Sequence, residues 1–196
     1  MNILMTGFDP FGGEQINPSW EAVSRVKAPE GTELIKVQIP TVFAKAGAAA
    51  VEAIRKYHPD AVLCVGQSGR ALITPERIAI NVDDADIADN EGAVPKDVPI
   101  NEFGPAAYFS TLPIKKMTKA INDAGIGAAV SDTAGTFVCN HLMYSVLDFL
   151  AKEAPTVPGG FIHVPRIPAQ TAGKDLPCME LEQIVRGLEA AISAIA

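Results

Sequence analysis

"DAVLCVGQSG", residues 60–69, decides the fold class. Its central run, Ala61 to Val65, has no polar residue and feeds directly into glycine. A strand that alternates apolar and polar residues has one wet face. A strand without alternation is buried on both, as happens in a parallel sheet covered by helices on each side. "NILMTG" (2–7) has the same form and also ends in glycine, and "GGFIHVP" (159–165) is a third apolar strand. "ELIKVQIP" (33–40) alternates and stops at proline. Helical stretches separate these strands. Residues 17–26 have Asn17 as N-cap and Pro18 at the first helical position. Residues 42–57 are alanine-rich and stop at His58-Pro59, and residues 113–125 end at Gly125. Residues 136–153 and about 177–195 read as two further helices, and 76–82 and 126–132 as further strands. Residues 83–104 are acidic and turn-rich, without periodicity, and read as a long excursion. Strands alternating with helices imply an α/β domain spanning 1–196, built on a largely parallel sheet with helices on both faces.

A chain of 196 residues fits one domain of ordinary size. Its net charge of −7 argues against a nucleic-acid binder, which carries a basic patch. Three cysteines, an odd count, do not suggest a disulfide framework and point to a reducing, cytoplasmic setting. "MNILMTG" is too short for a signal peptide, and no apolar run approaches the ~18 residues of a membrane span.

Sites in open α/β sheets form beyond the carboxyl ends of the strands. Gly7–Gly13, Gly66–Gly69, Asp132–Cys139 and His163–Pro165 all fall there. Cys64, inside an apolar strand, reads as core, and Cys178 carries no signal of its own. Cys139 falls in the first turn of a helix, where the helix dipole favours thiolate; the alternative is a small apolar residue packed inward. A cysteine nucleophile needs a base. Of the three histidines, His58 sits at a helix end, and His141 lies two residues from Cys139 on a different helix face. His163 ends an apolar strand, where a lone histidine serves either as core or as base. The acid that orients an imidazole has six candidates: Glu76, Asp83, Asp84, Asp86, Asp89 and Asp132. Glu76 opens a strand just past the glycine loop, but spacing does not choose among them. "TGFDPFGG" (6–13) matches neither a dinucleotide fingerprint nor a P-loop. It places Phe8 and Phe11 on a loop, as a lid over the core or as walls for a flat ring. No zinc-type Cys/His spacing occurs.

Four motifs give the chain a family resemblance: "TGFDPFGGEQINPSWEAV" (6–23), "ITPERIAINVDDADIADNEG" (73–92), "SDTAGTFVCNHLMY" (131–144) and "GGFIHVPRIPAQ" (159–170). In this order they resemble the pyroglutamyl peptidase I family of cysteine peptidases. The resemblance implies an open-sheet α/β/α fold and removal of an N-terminal pyroglutamyl residue from peptides. It implies a triad at Glu76, Cys139 and His163, with a thiolate attacking the pyroglutamyl carbonyl. It further implies a pocket of Phe8, Phe11, Gln67, Phe137 and Val138, with Phe11 and Phe137 flanking the substrate ring. No metal or organic cofactor is expected; the expected partners are pyroglutamyl peptides and sister subunits of a homotetramer, with no nucleic acid and no membrane.

Two features depart from the family pattern. The loop "GQSGRALITPE" (66–76) is one residue short, and Asp86 stands where the family has a basic residue. An acid near the thiol would raise its pKa; turned to solvent, it would do nothing. Two rival readings follow. A nucleoside phosphorylase-like enzyme would need Arg70 free for phosphate, and a non-catalytic relative would keep the pocket without turnover.

Overall fold

The computed structural model describes residues 1–195. A five-stranded sheet has the order β2-β1-β3-β7-β4, with β1 Asn2–Phe8, β2 Glu33–Ile39, β3 Ala61–Gln67, β4 Thr74–Pro75 and β7 Gly159–Val164. All pairings are parallel except that of the edge strand β4 with β7. Two short strands, β5 Ile78–Ile80 and β6 Ala107–Phe109, form a separate antiparallel pair. The helices are α1 Pro18–Arg25, α2 Phe43–Tyr57, α3 Ile114–Asp123, α4 Val138–Glu153, α5 Pro168–Thr171 and α6 Leu181–Ser193.

Strand periodicity divides the core in two. Leu4, Phe8, Val62, Cys64 and Phe161 face one way and pack against α2 and α4. Ile3, Met5, Leu63, Val65, Ile162 and Val164 face the other way, against α1, α3 and α6. This is the expected helix–sheet–helix layering. Asn17 caps α1 by accepting from the Ser19 N–H, as its sequence position predicts.

Three local expectations are corrected. Residues 126–132 form no strand and make only the isolated bridges Ile73↔Ala128 and Glu76↔Ser131. Their neighbour β4 is two residues long and contains Pro75, which has no N–H for a ladder. The 76–82 strand shrinks to Ile78–Ile80, leaving Glu76 between two strands. The last helix begins at Leu181, so Cys178 precedes it and bridges to Arg166 instead.

The sheet order reverses direction between β1 and β3, so their carboxyl ends open a crevice at this switch point. The glycine loops after Phe8 and Gln67 lie there.

Candidate active site

Strand parity places the site. Residues 161 and 163 of β7 share a face, and Phe161 packs in the α2–α4 layer. His163 therefore points to the layer whose helix α4 carries Cys139. His163 registers with Gly66 of β3 and Thr74 of β4, so β4 brings Glu76 beside it, with the Glu76 N–H donating to the Phe161 carbonyl at 2.9 Å. His163 Nδ1 and Glu76 Oε1 are 2.7 Å apart, and both side chains are buried. Burial alone would raise the Glu76 pKa. Its hydrogen bonds to His163 and Arg70, with the attraction of His163, outweigh that and hold the carboxyl below its usual range.

Cys139 is the second residue of α4, following Phe137 as N-cap. Its backbone N–H takes no backbone acceptor among the described residues, as is usual in a first helical turn. Its sulfur points at the β3 glycine: a Cβ on Gly66 would lie 2.9 Å from Cys139 Sγ and 2.7 Å from the Phe161 ring. That burial pushes the thiol up to about 12, assisted by the Glu76 charge and opposed by the cysteine's own N–H. Lost hydration and the Glu76 charge thus act against the lowering expected from the helix dipole. In a Cys178→Ser variant, which lacks the exposed competing thiol, inactivation by iodoacetamide should rise about tenfold per pH unit through pH 9. A rate already flat below about pH 7 would mean a preformed thiolate.

Gly66 is a second point of control. A methyl there must displace either the Cys139 sulfur or Phe161, whose ring sits 4.9 Å from that of His163 and 6.5 Å from that of Phe8. Gly66→Ala should lower kcat about 100-fold, the scale of a 1 Å misplacement, while costing about 1–3 kcal/mol of stability. Kinetics beside thermal unfolding checks both; near-wild-type kcat would show that the sulfur has room to yield.

The remaining sequence candidates are placed as follows. Phe8 ends β1 rather than lying on a loop, and it is buried. Phe11 is on the following loop, 6.0 Å from Phe137 between ring centroids. Gln67 ends β3 and accepts from Gln170 Nε2 at 3.0 Å. Val138 is buried at the start of α4. Asp86 is fully exposed and pairs with Lys96 at 3.0 Å, so the acid turns to solvent rather than toward the thiol. Cys64 is buried in β3, and His58 ends α2 in a left-handed conformation. Arg70 is bound to Glu76, Thr74 and the Thr133 carbonyl, which removes it as the phosphate ligand of a phosphorylase.

Sequence reading missed a clamp. Buried Asn140 donates to the Ile80 and Val82 carbonyls and accepts from the Ile80 N–H. His141 Nδ1 meets Asp83 Oδ2 at 2.8 Å, and its ring stands edge-on to Phe43. The two residues after Cys139 thus fasten strip 80–83 to α4. A buried-face asparagine in an otherwise apolar helix was the available signal.

A thiol at a helix start, an imidazole on the facing sheet and a buried carboxylate behind it are the parts of a cysteine-type hydrolase on an α/β frame. The comparisons with known proteins agree. The family model described as pyroglutamyl peptidase matches residues 1–196. Pyrrolidone-carboxylate peptidase of Bacillus licheniformis is 54% identical, over 98% of this chain and 92% of its own. The protein of that name from Streptococcus pyogenes is also 54% identical, over 100% and 92%. Among solved structures, Bacillus amyloliquefaciens pyroglutamyl peptidase I superposes with a TM-score of 0.96 at 49% identity, over 99% of this chain and 96% of that one. A mutant pyrrolidone carboxyl peptidase of Pyrococcus furiosus gives 0.94 at 39%, over 100% and 98%. The chain belongs to the pyroglutamyl peptidase family.

Proposed function

We propose that this chain is one catalytic domain that hydrolyses the bond following an N-terminal pyroglutamyl residue, with Cys139 as nucleophile, His163 as general base and acid, and Glu76 as the orienting carboxylate. The observation that carries the reading is the buried 2.7 Å pair of His163 and Glu76 on the sheet face turned to Cys139. The Cys139 proton passes to His163 Nε2 as Sγ attacks the carbonyl carbon. The Cys139 N–H faces the developing oxyanion. His163 then returns that proton to the leaving amine as the C–N bond breaks. Water, deprotonated by His163, attacks the thioester and releases pyroglutamate with the thiol restored.

Pyroglutamate is a neutral lactam, so its site needs apolar walls and amide partners rather than carboxylates for an ammonium. Phe11 and Phe137 supply the walls. A ring slotted between them makes two van der Waals contacts and needs about 7–8 Å, so the Phe11 loop opens by ~1–2 Å on binding. Gln67 borders the same crevice; Phe8 and Val138 shape it from beneath.

A homotetramer and a cytoplasmic setting complete the reading. Phe103 and Phe109, 93% and 65% exposed, are large apolar side chains that an isolated subunit leaves in water. All three cysteines are free, which suits a reducing compartment.

The test is release of aminocoumarin from its pyroglutamyl and prolyl derivatives under reducing conditions. A site built to hydrogen-bond the lactam should favour the first by about 10⁴-fold. Absence of pyroglutamyl turnover would overturn the reading and favour a binding protein.

A further inference from the structure

Arg70 lies in the shortened loop, and its guanidinium pairs with the Glu76 carboxylate on the oxygen that meets His163. Its Nη1 donates to Glu76 Oε1 at 2.6 Å and to Thr74 Oγ1 at 2.9 Å, and its Nη2 donates to the Thr133 carbonyl at 2.8 Å. One planar fork thus ties together the loop after β3, the edge strand β4 and the segment leading into α4. We propose that Arg70 is a positioning residue for the reaction, fixing the Glu76 carboxylate for His163 and balancing its charge. The proposal rests on the triad reading above.

The geometry gives two separable roles. Arg70 and His163 donate to the same oxygen, Oε1, so the guanidinium sets where the imidazole finds its acceptor. A bidentate or forked arginine is rigid in a way that a lysine is not. The second role is charge. Glu76 is wholly buried, whereas the Arg70 side chain is 36% exposed and brings a cation in from the surface. At the transition state the site holds a guanidinium, a carboxylate, an imidazolium and an oxyanion, which balance. Without Arg70 the buried site carries a net negative charge just where more negative charge must form.

The groups facing Glu76 are His163 from β7, Arg70 from the loop, Cys139 from α4 and the Thr74 hydroxyl from β4. Arg77, next in sequence, is turned away to Asp132, and Arg166 packs on Gly69. An uncompensated carboxylate holds an imidazolium proton more tightly. Loss of Arg70 should therefore move the acidic limb of the rate profile to higher pH.

The experiment measures kcat and KM against pH with pyroglutamyl-aminocoumarin for wild type, Arg70→Met, Arg70→Lys, Glu76→Ala and the Arg70→Met/Glu76→Ala double variant. Thermal unfolding of each is followed in parallel. Arg70→Met should lower kcat by about 10- to 100-fold, leave KM within about twofold and shift the acidic limb upward. Arg70→Lys should return the limb to its wild-type position while recovering only part of kcat. In the Glu76→Ala background, Arg70→Met should cost nothing further. A wild-type kcat and limb in Arg70→Met, beside a crippled Glu76→Ala, would overturn the proposal and leave the triad standing. An equal loss from Arg70→Met in both backgrounds would overturn it too. Full activity in Glu76→Ala would sink the triad reading itself. Should Arg70→Met not fold, Arg70→Lys decides: an unaltered kcat would overturn the positioning role.

Discussion

Cys139→Ser should fold as the wild type does and release no measurable aminocoumarin from pyroglutamyl-aminocoumarin, a loss of about 10⁴-fold or more. The substitution is nearly isosteric and sits where a Cβ and one small atom already fit against Gly66. The chemistry changes far more than the packing. A hydroxyl is a much weaker acid and nucleophile than a thiol, and the sulfur here is already disfavoured as an anion by burial and by Glu76. The site has no spare driving force with which to ionise a serine. Binding should persist, because the proposed ring walls Phe11 and Phe137 are untouched, so the variant should retain pyroglutamate affinity within a few-fold by calorimetry. Turnover within tenfold of wild type would remove Cys139 from the mechanism. Lost binding together with lost turnover would point to a collapsed crevice instead.

The raised thiol makes the buried pair behind the histidine more important. A cysteine enzyme with a stable thiolate begins with its nucleophile prepared. In the proposed mechanism the proton leaves as the carbon–sulfur bond forms, so the base must be aligned and its positive charge stabilised at that moment. Alignment comes from Glu76 and the elements that hold it. β4 fixes its backbone to Phe161, and Arg70 fixes its carboxylate. The clamps of Asn140 and His141 hold the other side of the crevice against the nucleophile's own helix. Displacement of strip 80–83 would therefore be felt at Cys139 within one helical turn.

The apolar run at 61–65 is legible as a buried parallel strand because it is short, carries two valines and is flanked by Pro59 and Gly66, which decide against a buried helix segment. The Asn17–Pro18 start of α1 was equally legible, since a cap and a helix-compatible φ are local properties. Residues 126–132 were not legible. Their pattern resembles a strand, but whether a strand forms depends on a partner edge, and that edge is two residues ending in proline. The direction of the Cys139 shift was hidden for a similar reason. Its helix position is local and readable, whereas its desolvation depends on Gly66 and Phe161, distant in sequence. The acid was ambiguous among six carboxylates because only the antiparallel edge pairing of β4 with β7 carries Glu76 to His163. In the sequence Arg70 is only a cation beside a glycine loop; its tie to the Thr133 carbonyl joins a segment 63 residues away that spacing does not bring near.

Glu76→Gln should lower kcat/KM by about 10³-fold, and the way Glu76 is held predicts the form of the loss. Replacing the orienting acid of a Ser-His-Asp triad by its amide costs ~10⁴, through the wrong imidazole tautomer. That outcome requires the amide NH₂ to face the ring. Here the same position also faces Arg70 Nη1, so an NH₂ at Oε1 would set donor against donor. The amide oxygen should therefore occupy the Oε1 position and preserve the tautomer, while the NH₂ takes the Oε2 position, buried and without a partner among the described residues. What disappears is the negative charge that stabilises the imidazolium, worth about 4 kcal/mol at 1.36 kcal/mol per decade for the expected loss. The acidic limb of the profile should then move to lower pH, opposite to its shift in Arg70→Met. Stability gives a second readout. The folded Glu76 carboxyl lies below its ordinary 4.5, so its contribution is present above 4.5 and is lost as pH falls through the folded value. The wild type should lose thermal stability on that descent more steeply than Glu76→Gln, which has no proton to take up there. A limb that moves upward in Glu76→Gln, or a loss near 10⁴ with the tautomer reversed by ¹⁵N NMR of the imidazole, would mean that Arg70 does not hold the side chain in the orientation seen here.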